Sequence, residues 1–234
     1  MSGDARVTEG PLGAVAGPST PVSSVLYLHG FNSAAASPKA RLIEQTCRHL
    51  EAESGEPLAC LAPDLSHQPA TALARAEACL DTLAERNGGL HNTLLIGSSM
   101  GGFLATCLAE RHGLRAALIN PAVAPARLVA DYLGATLTNP YTEETFTIGD
   151  AHRDELEAMM WSSIVDPERY LVLLGSADET LDCRDALGAY AGARTLIEPG
   201  GDHGFSRLAA YLPAIFAHGG WTLPSDVVPR VLVD

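Results

Sequence analysis

Three residues far apart in the chain have the types needed for nucleophilic catalysis: Ser99, Asp178 and His203. A serine hydroxyl is a poor nucleophile at neutral pH. It needs an imidazole beside it to take its proton, and that imidazole needs a third group to orient it. Ser99 is the centre of Gly97-Ser98-Ser99-Met100-Gly101, a Gly-x-Ser-x-Gly pentapeptide. The pentapeptide alone is a weak signal. It acts as a nucleophile elbow only between a buried strand and a helix, where the turn strains the serine and the glycines make room for both neighbours. Residues 94–97 form the apolar run of a buried parallel strand, and 103–112 read as a helix. Such a turn holds the Ser99 hydroxyl above the C-terminal edge of a sheet and aims the free N–H groups of the new helix at it. Ser98, at an x position, reads as turn-forming or as packing under the elbow.

The acid and the base are expected on two later loops. Asp178 follows an apolar strand at 170–174; it also suits a helix N-cap, and Glu179 and Asp182 are rivals in the same loop. His203 lies in the glycine-rich stretch 199–204 after the last clear strand. Among the other seven histidines, His29 lies in an oxyanion-type loop and His67 follows a strand. His49, His91, His112, His152 and His218 read as helix-surface, loop or lid positions. The chain order Ser, Asp, His is that of α/β hydrolases, not that of chymotrypsin- or subtilisin-type enzymes. A tetrahedral intermediate also needs donors for its oxyanion. The backbone N–H of Met100 and that of Phe31, in His29-Gly30-Phe31, are the candidates.

These residues need a scaffold, and the hydrophobic pattern predicts one. Strands are expected at 24–28, 58–61, 94–97, 116–119, 170–174 and 194–197. Helices are expected at 38–50, 71–86, 103–112, 182–190 and 206–216. This alternation predicts an α/β-hydrolase fold: a mostly parallel sheet of about six strands with helices on both faces. The pattern breaks at 124–168, where helix-like pieces (126–133 and 154–162) occur without a clear strand. An insertion there suits a short helical lid or one wall of a pocket. Met159, Met160 and Trp161 are candidates to line an acyl site, the alternative being that they anchor the lid to the core. The expected organisation is a flexible leader at 1–21, one domain at 22–217 and a tail at 218–234. The tail carries strand-like Val227-Val228 and Val231-Leu232 around Pro229, with no evident place in the sheet.

Composition narrows the function classes. The chain has 234 residues, 47% hydrophobic and 18% charged, which suits a single globular domain with a sizeable core. A formal charge of −13 argues against nucleic-acid phosphates and anionic membrane surfaces as partners. No apolar run approaches the roughly 20 residues needed to span a bilayer, and the N-terminus lacks the basic start and apolar core of a signal peptide. Five scattered cysteines, never in a Cys-x-x-Cys pair, predict free thiols in a cytoplasmic protein without structural zinc. Cys183, close to the candidate acid, reads as packing.

With these residues placed, the chain resembles the YqiA-type esterases of the α/β-hydrolase superfamily. The matching segments are Tyr27-Leu28-His29-Gly30-Phe31-Asn32-Ser33 with Pro38-Lys39-Ala40, Gly97 to Gly102, Asn120-Pro121-Ala122-Val123, Asp178 to Asp182, and Gly201-Asp202-His203-Gly204-Phe205. They run in the same order over most of the domain. The resemblance implies hydrolysis of a small-molecule carboxylic ester or acyl thioester by Ser99, Asp178 and His203, without metal or cofactor. Met100 stands where leucine is more usual, a change that leaves the backbone N–H in place. Two other readings use the same residues: a lyase or carbon–carbon hydrolase working with this triad, and a non-catalytic ligand-binding member of the fold.

Overall fold

The structure is a computed structural model that describes Pro18 and residues 20–223. Most of the leader expected at 1–21 (1–17 and 19) and the strand-like tail segments lie outside the described residues. The core is a six-stranded, all-parallel sheet. In chain order its strands are β1 (Ser24–Leu28), β2 (Ala59–Leu61), β3 (Thr93–Ser98), β4 (Arg115–Ile119), β7 (Tyr170–Gly175) and β8 (Arg194–Glu198). In space they run β2-β1-β3-β4-β7-β8. The chain steps outward from β1 to β2, then returns past β1 to β3. Between β1 and β3 the order reverses, which opens a crevice above their C-terminal ends, the usual ligand position in such sheets. Leu28 pairs with Gly97 across that gap, so the His29 loop and the Ser99 turn leave the sheet side by side.

Period-two alternation gives the four inner strands two buried faces, while the edge strands β2 and β8 are only partly buried. Leu26, Leu28, Leu95, Leu118 and Val172 face one apolar cluster, with α2 (Pro69–Arg86) and α3 (Met100–His112). Val25, Tyr27, Ile96, Ile119 and Leu173 face the other, with α1 (Pro38–Ser54) and α7 (Leu212–His218). Helix α1 shows why sequence specifies it. Ser37 caps the first turn by accepting from the Ala40 N–H at 3.4 Å, Pro38 has a fixed φ suited to N1, and Gly55 ends the helix in the left-handed region at φ 73°. Ala40, Ile43, Cys47 and Leu50 form its buried stripe. Burial of each large side chain of that stripe contributes roughly 1.5–3 kcal/mol.

The segment between β4 and β7 differs from the expectation. It contains α4 (Pro125–Ala130) and α5 (Asp150–Met159), but also a two-stranded antiparallel hairpin, β5 (Thr136–Thr138) with β6 (Thr145–Thr147). Its outward threonines pair as Thr136–Thr147 and Thr138–Thr145, each at 3.0 Å, while Leu137 and Phe146 point inward. Two apolar residues in six give too little alternation to be visible in the sequence. Helix α5 starts four residues earlier than expected because the lid itself caps it: the Gly149 N–H donates to His152 Nδ1 at 3.1 Å. Near the other end of the chain, residues 208–211 form a 3-10 turn and only 212–218 form an α-helix (α7). Helix α6 (Cys183–Ala189) links β7 to β8. All five cysteines are free. Among the described residues no helix is long and apolar enough to cross a membrane.

Candidate active site

Ser99 sits at φ 54°, ψ −119°, a conformation that costs a residue with a Cβ about 1–3 kcal/mol. Four backbone bonds hold it there. Its N–H donates to the Ile119 carbonyl at 2.9 Å, and its own carbonyl accepts from Gly102 (2.9 Å), Ala122 (3.1 Å) and Phe103 (3.2 Å). The flanking glycines are steric necessities. A Cβ on Gly97 would run into the backbone of Gly101, and a Cβ on Gly101 into the carbonyls of Leu28 and His29.

The structure brings together the three residues singled out from sequence. His203 Nε2 lies 3.1 Å from Ser99 Oγ, and His203 Nδ1 lies 2.8 Å and 3.0 Å from the two carboxylate oxygens of Asp178. An ionised carboxylate only accepts, so Nδ1 carries the proton and Nε2 presents its lone pair to the serine hydroxyl. Asp178 Oδ1 also accepts from the Thr180 and Leu181 N–H groups, both at 2.8 Å, and only 2% of the side chain is exposed. The rival acids are engaged elsewhere. Asp182 caps α6 and pairs with Arg184, which holds its pKa down to about 2. Glu179 accepts from the backbone N–H of His203 at 3.0 Å, a bond that lowers its pKa, and so supports the loop without touching the ring.

Two residues whose roles the sequence did not reveal position His203. Asn120, at the end of β4 with φ 42°, is buried; its Nδ2 donates to the carbonyls of Asp202 (2.9 Å) and His203 (3.1 Å). Its Oδ1 accepts from the Gly175 N–H at 2.7 Å, so one amide ties the His203 loop to the end of β7. Lys39, from α1, donates to the Gly204 carbonyl at 2.7 Å. Its sequence signals are an Asn before a proline at a strand end and a place in the family-like segment 120–123. Lys39 has no local signal.

On the other side of Ser99 runs the loop after β1. His29 is buried; its Nε2 accepts from the Leu65 N–H at 3.0 Å, so Nδ1 holds the proton and donates to the Gly30 carbonyl at 2.8 Å. Burial also pushes its pKa down, so His29 is a neutral brace for the loop. A Cβ on Gly30 would lie 3.8 Å from Ser99 Oγ, which shows how closely the backbone passes the hydroxyl. Among the described residues neither the Phe31 N–H nor the Met100 N–H donates to a protein acceptor.

Next to this loop lies a cavity of about 30 Å3, lined by Phe31, Met100, Leu104, His67, Glu144 and Phe146 among others. Phe146 packs edge-on against Phe31 at 5.7 Å and stacks on His67 at 4.3 Å. Met159, Met160 and Trp161, the residues expected at an acyl site, do not line it. Helix α5 ends at Met159, and the chain after it bonds to α3, where the Val165 N–H donates to Glu110 Oε2 at 2.9 Å. The Met159 carbonyl accepts from the Cys107 thiol at 3.6 Å, Met160 is 41% exposed, and Trp161 packs 5.4 Å from Tyr190. They anchor the end of the lid.

A model of an uncharacterised protein family, UPF0227, matches residues 24–219. Similar solved structures include the esterase domain of a Rhodothermus marinus protein, at 19% identity and TM-score 0.60, with 89% of each chain covered. Mouse alpha/beta hydrolase domain-containing protein 10 is similar at 18% identity and TM-score 0.62, covering 89% of this chain and 90% of that one. Est1E from Butyrivibrio proteoclasticus, in a structure with ferulic acid bound, is similar at 15% identity and TM-score 0.61, covering 92% and 91%. At these identities the likeness establishes the α/β-hydrolase fold.

Proposed function

The chain belongs to the uncharacterised protein family UPF0227, the family of the YqiA-like esterases, and from that premise we propose that it is a serine esterase working through an acyl-enzyme. The observation that carries this reading is a strained serine whose hydroxyl lies 3.1 Å from an imidazole already oriented by a buried carboxylate. In the proposed cycle Ser99 Oγ attacks the acyl carbon as its proton passes to His203 Nε2. Asp178 stabilises the imidazolium that results. The oxyanion is received by the N–H groups of Phe31 and Met100, each worth roughly 3–4 kcal/mol in such sites. As the intermediate collapses, His203 Nε2–H protonates the departing alkoxide or thiolate, leaving the acyl group on Ser99. Water activated by the same imidazole then releases the acid.

The geometry also separates the two ends of the substrate. The leaving group must lie beside His203, which protonates it. The cavity is lined by the Phe31 loop and Met100 but by no residue of the His203 or Asp178 loops, so it suits the acyl portion. With roughly 10–15 Å3 needed for each water-sized group, about 30 Å3 accommodates a short acyl chain.

Nucleophile partitioning tests the acyl-enzyme. Butyrate esters of different alcohols, hydrolysed in the presence of methanol, should give one common ratio of butyric acid to methyl butyrate, because all pass through the same butyryl-Ser99. A ratio that changes with the leaving group would rule out the shared intermediate.

A further inference from the structure

The far side of the acyl cavity holds a donor and an acceptor that do not satisfy one another. The Gly149 N–H donates to His152 Nδ1 at 3.1 Å, so His152 carries its proton on Nε2. That Nε2–H lies 3.0 Å from His67 Nδ1, which must therefore accept. The chain of bonds leaves His67 with its proton on Nε2. This N–H faces Glu144 Oε1 at 3.8 Å, beyond hydrogen-bond length. Both residues line the cavity. The His67 ring is fixed by stacking on Phe146 at an interplanar angle of 4°, and its side chain is only 19% exposed.

Nε2 and Oε1 are too close for an atom to lie between them in line, but one oxygen beside the pair can reach both at about 2.8 Å, accepting from one and donating to the other. An alcohol oxygen fits: it accepts from His67 Nε2–H and gives its own proton to Glu144. A carboxylate does not, since it would meet Glu144 charge to charge, and a methyl group would leave the His67 Nε2–H without a partner. We propose that this site, read as the acyl cavity of a serine esterase, selects short acyl groups that carry a hydroxyl, with His67 and Glu144 as the specificity-determining pair.

The test compares p-nitrophenyl propionate and butyrate with the 3-hydroxypropionate and 3-hydroxybutyrate esters, each corrected for its rate with hydroxide alone. For at least one pair the hydroxy ester should have a kcat/KM about ten-fold or more above its parent, as expected where polar groups are left unpaired by the deoxy analogue. His67→Phe, which keeps the stacking on Phe146, and Glu144→Leu should each bring that ratio close to one, whatever they do to the rate with the parent ester. His67→Gln and Glu144→Gln, which restore a donor and an acceptor, should recover part of it. Glu144 is largely exposed, so its variants report even where a His67 variant does not fold. Normal turnover of the parent esters with no hydroxy preference in any pair overturns the inference and leaves the esterase intact. Absence of turnover with every ester, parents included, overturns the esterase reading beneath it.

Discussion

Replacing Asn120 with alanine should damage both stability and activity, by amounts that follow from its bonds. The side chain is 2% exposed and serves three backbone groups. Without it the buried Gly175 N–H and the His203 carbonyl lose their partners, at roughly 1–3 kcal/mol each. The Asp202 carbonyl suffers less, because it also accepts from the Phe205 N–H at 3.1 Å. Alanine at φ 42° adds about 1 kcal/mol of backbone strain. The sum is about 3–7 kcal/mol, a large part of the roughly 5–15 kcal/mol by which a domain is usually stable. Urea unfolding, with slopes compared to exclude a change in the transition itself, measures it. In folded enzyme the freed His203 loop should lower kcat/KM about 100-fold, since misplacing a catalytic group by about 1 Å costs that much. Asn120→Gly removes the strain but not the lost bonds, so it should be the less destabilised variant and no more active. An alanine variant within about 0.5 kcal/mol of the parent, the range of an ordinary surface substitution, and fully active, would refute the role given to Asn120.

Other perturbations have separate signatures. Asp178→Asn should lower kcat by up to about 10,000-fold by favouring the wrong His203 tautomer, whereas Asp182→Asn should leave it nearly unchanged in the same steady-state assay. His218 is buried, its Nε2–H donates to the Arg169 carbonyl at 2.9 Å, and burial above all pushes its pKa from 6.5 to about 4. The folded pKa is the lower one, so the unfolded chain binds more protons. Stability from this group is therefore complete above about pH 6.5 and declines as pH falls toward 4, by a few kcal/mol. Urea midpoints across that range should show it, and His218→Gln should flatten that part of the profile. Phe146→Ala should open the acyl cavity and shift kcat/KM toward longer acyl esters, while Met160→Ala should leave chain-length preference unchanged.

The strands and the catalytic candidates were legible in the sequence for one reason: both are fixed by local chemistry. An apolar run that ends in Gly-x-Ser-x-Gly and continues as a helix has the pattern of a buried strand meeting an elbow, and the collisions a Cβ would cause at Gly97 and Gly101 explain the glycines. His203 stood out among eight histidines by its glycine-rich loop after the last strand. The proposed acyl cavity was not legible, because its walls come from six separate stretches of chain and the orientation of His67 is set by a long-range bond. His67 follows β2 and His152 lies in the lid, 85 residues apart, and nothing near either predicts their 3.0 Å contact. Met159, Met160 and Trp161 show the converse difficulty. An apolar cluster in a lid segment has the composition of a substrate wall or of an anchor, and only the path of the chain after α5 decides between them.

The most direct measurement is covalent labelling by a fluorophosphonate, followed by peptide mass spectrometry. A hydroxyl activated by His203 and held beside two free N–H donors should attack the phosphorus, leaving one phosphonyl group on Ser99 and none on Ser98. Ser99→Ala should abolish labelling, and His203→Ala should slow it severely. An intact, folded protein that remains unlabelled at residue 99 under conditions that label a control serine hydrolase would contradict the account.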